Sequence, residues 1–95
     1  MSWDEVSYVV RSKVRRSVLA RLQTPKTPTL LAKELSTSLP NISRALSELE
    51  SKGLIEVLTP DARVGKIYAA TEKGKAVSSK VRNMSEVPRP DVRSE

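Results

Sequence analysis

Ninety-five residues make about one small domain, and 38% hydrophobic with 29% charged content is ordinary for a folded globular chain. Seventeen Lys and Arg against eleven Asp and Glu leave a net charge of +6, the electrostatic footprint of a protein whose partner is polyanionic. Cys and His are both absent, which excludes disulfides, thiol catalysis and Cys/His zinc sites, so no enzyme activity, cofactor or metal is expected.

Ser2 and Glu5 have capping-box spacing, and Val6, Val10, Val14, Val18 and Leu22 then recur every fourth residue. Ser12 offers a second start, so a helix is predicted from about Ser12 to Leu22, ending near Gln23 ahead of Pro25. Thr27-Pro28 opens a second helix, an N-cap followed by proline at the first helical position, with Leu31 and Leu35 on its buried side and a stop near Ser36. Ser38 caps a third helix in which Pro40 is tolerated within the first turn. Leu39, Ile42, Leu46 and Leu49 form its apolar face, and Gly53 stands where a left-handed cap is expected.

Past Gly53 the period changes. Leu54–Thr59 and Lys66–Thr71 read as two short strands, joined by the turn residues of Pro60–Gly65. Thr71 caps a last helix to about Asn83, with Ala76, Val77 and Val81 as apolar contacts and Gly74 as a weak point. From Ser85 onward Ser, Pro, Glu and Arg dominate, which predicts a folded unit at 1–84 and a disordered tail at 85–95. The expected class is α+β, in the order helix-helix-helix-strand-strand-helix. No apolar run approaches the ~20 residues of a membrane span, and no secretory h-region opens the chain, so a cytoplasmic location is expected.

The second and third helices with their tight turn have the form of a helix-turn-helix, whose second helix enters the major groove of duplex DNA. At about 100° per residue, the face opposite the apolar stripe carries Pro40, Arg44, Ser47 and Ser51, flanked by Asn41 and Ser43. Arg44 suits a bidentate contact to guanine and Asn41 one to adenine. Ser43 and Ser47 are small enough to allow close approach. Ser38 and the first-turn amides offer a helix N-terminus for a phosphate oxygen, and Lys33 is placed for another. An ordinary solvated helix face is the plain alternative, although such a face usually carries more Glu and Lys.

Arg63 and Lys66, flanking Gly65, make the hairpin loop a candidate for phosphates or the minor groove; a solvated turn with incidental charges is the alternative. Arg11, Lys13, Arg15, Arg16, Arg21 and Lys26 form a basic stretch, with no acid from Val6 to Lys33, read as long-range attraction more than as contacts.

Leu31-Ala32-Lys33-Glu34-Leu35, the run from Ile42 to Ile55, and Tyr68-Ala69-Ala70-Thr71-Glu72-Lys73-Gly74 together resemble MarR/ArsR-type winged-helix regulators. The Pro60-Asp61-Ala62-Arg63 wing is most similar to that of small archaeal members. The resemblance covers about Val9 to Met84 and implies a DNA-binding regulator, commonly a homodimer on a pseudo-palindromic site. It assigns recognition to Pro40, Asn41, Ser43, Arg44 and Ser47 and the wing role to Arg63 and Lys66. Metal-sensing members use Cys and His, so metal sensing is not implied, nor is a ligand pocket in so short a chain.

The expected partner is double-stranded DNA, with a homodimer through the first and last helices, where Val77 and Val81 lie, and with no membrane partner. The competing reading is a winged-helix protein–protein interaction module within a transcription or chromosome assembly, with Trp3 and Tyr8 seating the partner. RNA ranks third, because 3% aromatic content leaves few stacking platforms.

Overall fold

Valines at every fourth position would make one long rod, but the backbone interrupts it at Arg11-Ser12. The computed structural model describes residues 3–63 and 65–85, and it begins with α1 (Trp3–Val10) and α2 (Lys13–Arg21). Ser12 is extended, and its hydroxyl accepts the Arg15 amide at 3.2 Å, satisfying one orphan donor of the new helix start. Val6, Val9, Val18, Leu19 and Leu22 all remain buried, so the stripe survives the break.

Helix α3 (Pro28–Leu35) begins as expected: the Thr27 hydroxyl accepts the Leu30 amide at 3.2 Å, and Pro28 takes the first turn. Its end is less comfortable. Ser36 adopts left-handed geometry at φ 52°, which lets the Thr37 amide reach the Ala32 carbonyl at 3.0 Å and swings the chain into the next helix. A side chain at such a φ is strained where glycine is not. Ser36→Gly is therefore expected to stabilise the fold by about 0.5–1 kcal/mol in urea denaturation, since Ser36 is exposed and loses no packing.

The 13-residue α4 (Leu39–Ser51) is capped by Ser38, and Gly53 closes it at φ 74° while the Leu54 amide donates back to the Leu49 carbonyl. Strands β1 (Ile55–Val57) and β2 (Tyr68–Ala70) pair antiparallel with Ile55 opposite Ala70. Both are shorter than expected. Beyond Val57 the Thr59 hydroxyl accepts the Ile67 amide at 2.9 Å, so a side chain replaces the backbone acceptor and regular pairing stops. Lys26 adds a third segment by exchanging both backbone hydrogen bonds with Tyr68, at 3.0 and 2.9 Å. That bridge ties the α2–α3 connection to the hairpin, which alone would be marginal.

Helix α5 (Glu72–Ser85) is capped by Thr71, whose hydroxyl accepts the Gly74 amide and donates to the Gly53 carbonyl at 2.7 Å. The expected order therefore holds from Lys13 onward, with α1 preceding it. The Ser2 cap lies outside the described residues, as does the expected tail from residue 86; Ser85 itself ends α5.

The core sits where α2 packs along α4, α3 leans on α4, and α1 bridges α2 and α5. Ile42, Leu46 and Leu49 anchor α4 as expected, but Leu39 does not. It is 45% exposed at the first position of the helix, while Ala45, outside the expected stripe, is buried with the other three. Gly74 also has a role beyond its low helix propensity: a Cβ there would stand 1.8 Å from the Leu54 carbonyl oxygen. Only glycine lets α5 lie this close to the start of β1.

Candidate nucleic-acid interface

The sequence-predicted reading residues lie together on α4. Ser38, Pro40, Asn41, Ser43, Arg44 and Ser47 are all exposed, and no ion pair holds Arg44 among the described residues. Lys33 is exposed on α3. In the loop between β1 and β2, Arg63 is exposed, Lys66 is half-buried, and Gly65 takes φ 69°. Gly53 joins the end of α4 to β1, so the helix and the wing follow one another directly.

The first turn of α4 is partly spoken for. The Ser38 hydroxyl accepts the Asn41 amide at 3.4 Å, and Pro40 has no N–H to give. The Leu39 amide remains, together with the Ser38 hydroxyl proton, so a phosphate finds fewer donors here than at an ordinary helix N-terminus. The Asn41 side-chain amide donates to the Thr37 hydroxyl at 3.2 Å. That contact leaves one N–H and the carboxamide oxygen without a partner among the described residues, the pair that adenine requires.

Acids near the reading face are turned away from it. Glu48 is drawn toward α2, where its carboxylate lies 3.2 Å from the Arg15 guanidinium. Arg15 in turn donates to the Tyr8 carbonyl and stacks 3.9 Å above the Tyr8 ring, with Lys52 at 5.0 Å from the same ring. Tyr8 is thus engaged within the chain, not offered to a partner; the Trp3 side chain lies outside the described residues. Glu34 takes up Arg21 at 3.3 Å and Lys26 at 3.4 Å. Much of the basic stretch is therefore neutralised across elements, by acids too far along the chain for local spacing to reveal. Val77 and Val81, expected to serve a dimer, are buried against the chain's own core.

At the wing's base, burial first and the Glu50 carboxylate second push the Tyr68 phenol above its ordinary value. The fold keeps this group neutral, so its contribution is whole below about pH 10 and is lost as pH rises through the folded value. Alkaline denaturation should be shallower for Tyr68→Phe than for the parent above about pH 10; identical curves would contradict the assignment.

Four helices followed by a two-stranded wing and a closing helix, with α4 presenting an open polar face, define a winged helix-turn-helix domain. The sequence pattern of the HVO_A0261 N-terminal domain family matches residues 3–91, and the chain belongs to that family. No curated protein matches the chain. Among solved structures, the reduced form of MarR from E. coli is 28% identical at a TM-score of 0.73, covering 88% of this chain and 64% of that one. A mutant E. coli MarR complexed with operator DNA is 27% identical at 0.71, covering 85% and 60%. A mutant of Lactococcus lactis ZitR, at 24% identity and 0.70, covers 79% and 53% and shares the fold. The chain thus spans 53% to 64% of the length of these structures. Among the described residues no helix is long and apolar enough to cross a membrane, and no cluster of carboxylates forms a metal site.

Proposed function

We propose that this domain is a non-enzymatic, cytoplasmic transcriptional regulator that binds double-stranded DNA in a sequence-specific manner. The observation that carries the reading is the outer face of α4, where Pro40, Ser43, Arg44 and Ser47 stand exposed and Glu48 is held aside by Arg15. The likeness to a MarR chain solved on operator DNA supports it. In this reading α4 enters the major groove, Arg44 and Asn41 address base edges, and Ser38, Ser43 and Ser47 bond to bases or phosphates. Lys33 takes a phosphate, and Arg63 and Lys66 meet the adjacent backbone or minor groove.

A homodimer through the first helical stretch, α1 with α2, and through α5 would present two α4 helices to half-sites that stand about 34 Å apart on duplex DNA, one turn. The open groove between α2 and α5, about 320 Å³ and rimmed by Arg16, Ser17, Ala20, Ser78 and Arg82, gives that side a concave surface. Sedimentation should then show a two-chain particle at micromolar concentration, and a monomer would remove the dimer.

Fluorescence anisotropy with a labelled duplex tests the DNA reading. Three phosphate contacts from Lys33, Arg63 and Lys66 predict a loss of about 40-fold in affinity between about 50 and 200 mM salt. No binding at the lower salt would refute it. The protein-interaction reading draws on exposed Leu30 (39%) and Leu39 (45%), and a stoichiometric protein partner without DNA binding would establish it.

A further inference from the structure

Leu39 is the one large apolar residue on α4 that the fold leaves outside its core. Leu30 and Leu58, also exposed, lie on α3 and just after β1. Leu39 is the first residue of the helix, and the N-terminal residues of a recognition helix are the ones that meet base edges. Around the helix it stands about 40° from Ser43, one turn further on, and about 100° from Pro40. It therefore stands at the seam between the two faces, about 20° from buried Leu46 on one side and about 40° from exposed Ser43 on the other.

Leucine at this position contributes no hydrogen bond and pays for its exposure. The Ser38 cap does not depend on it, because the capped amide belongs to Asn41. What the major groove offers an apolar side chain is specific. Among the base edges there, only thymine presents a methyl group, on C5. Arg44 and Asn41 carry the hydrogen-bonding chemistry for guanine and adenine, and neither reads that methyl.

We propose that Leu39 is a specificity-determining residue that recognises the C5-methyl of a thymine at the start of the reading helix. This rests on the DNA reading of α4 and adds to it the identity of one base. Burial of one methyl group corresponds to about a four-fold change in affinity.

The test begins with a duplex selected by the full chain from a randomised library, in which each thymine is replaced singly by deoxyuridine. Uracil pairs like thymine and lacks only the methyl. At one thymine position per bound chain, the parent should bind the uracil duplex about four-fold more weakly. Leu39→Ala should bind thymine and uracil duplexes equally, with affinity near that of the parent on uracil, and Leu39→Met should keep part of the preference. If the parent treats every uracil duplex like the thymine duplex, the proposal is overturned. It is overturned equally if Leu39→Ala keeps the preference, because another side chain then touches the methyl. Loss of the DNA reading itself shows separately, as a library from which no sequence is enriched.

Discussion

Gly74→Ala should destabilise the fold by about 3 kcal/mol or more. Two opposing effects meet at this residue. Alanine is the better helix former by about 1 kcal/mol, so propensity alone predicts stabilisation. Packing predicts the reverse. The added methyl would lie 1.8 Å from the Leu54 carbonyl oxygen and 2.8 Å from its carbon, and both are backbone atoms with no rotamer to yield. Relief requires α5 to move off β1, which breaks the hydrogen bonds of the Thr71 amide to the Leu54 carbonyl and of the Thr71 hydroxyl to the Gly53 carbonyl. In a chain of this size the cost corresponds to a fall in Tm of roughly 12 °C or more. Thermal denaturation decides the matter by sign, and a higher Tm would contradict the close approach.

Arg44→Ala is expected to act on binding and leave folding alone. The side chain is exposed and holds no partner among the described residues, so its removal should change stability by no more than about 0.5 kcal/mol. On the selected duplex the loss should be about 1–3 kcal/mol, roughly 5- to 150-fold, with discrimination relaxed at one base position. Arg44→Lys should not restore it, because lysine keeps the charge and lacks the planar fork that matches guanine. Equal binding and equal discrimination by Arg44→Ala would show that the assignment of this residue is wrong.

Helix starts were the most legible feature of the sequence. Ser12, Thr27, Ser38 and Thr71 each cap the helix they were expected to cap, because capping is a local contact between a hydroxyl and an amide three residues on. The polar face of α4 was legible for a similar reason, since helical periodicity assigns faces without knowledge of the rest of the fold. Leu39 shows where that method runs out. Its spacing belongs to the apolar stripe, yet whether a terminal residue meets the core depends on what lies beyond the helix end.

Long-range features were not legible at all. Nothing in the local pattern announces that Glu48 will take Arg15, that Glu34 will take both Arg21 and Lys26, or that Lys26 will pair with Tyr68. Part of the long-range attraction expected of the basic N-terminal stretch is consequently offset inside the fold. The packing role of Gly74 is illegible for the same reason, because its closeness to Leu54 is a fact about two elements and not about one helix.

An NMR titration of the full chain with duplex DNA bears most directly on the account, since it reports which surface makes contact. Backbone amides from Ser38 to Ser47 other than Pro40, together with those of Arg63, Gly65 and Lys66, should move or broaden as DNA is added. The outer faces of α1 and α5 should stay where they were. Perturbations gathered on α1 or α5, with the α4 amides unmoved, would contradict the claim that α4 is the reading element.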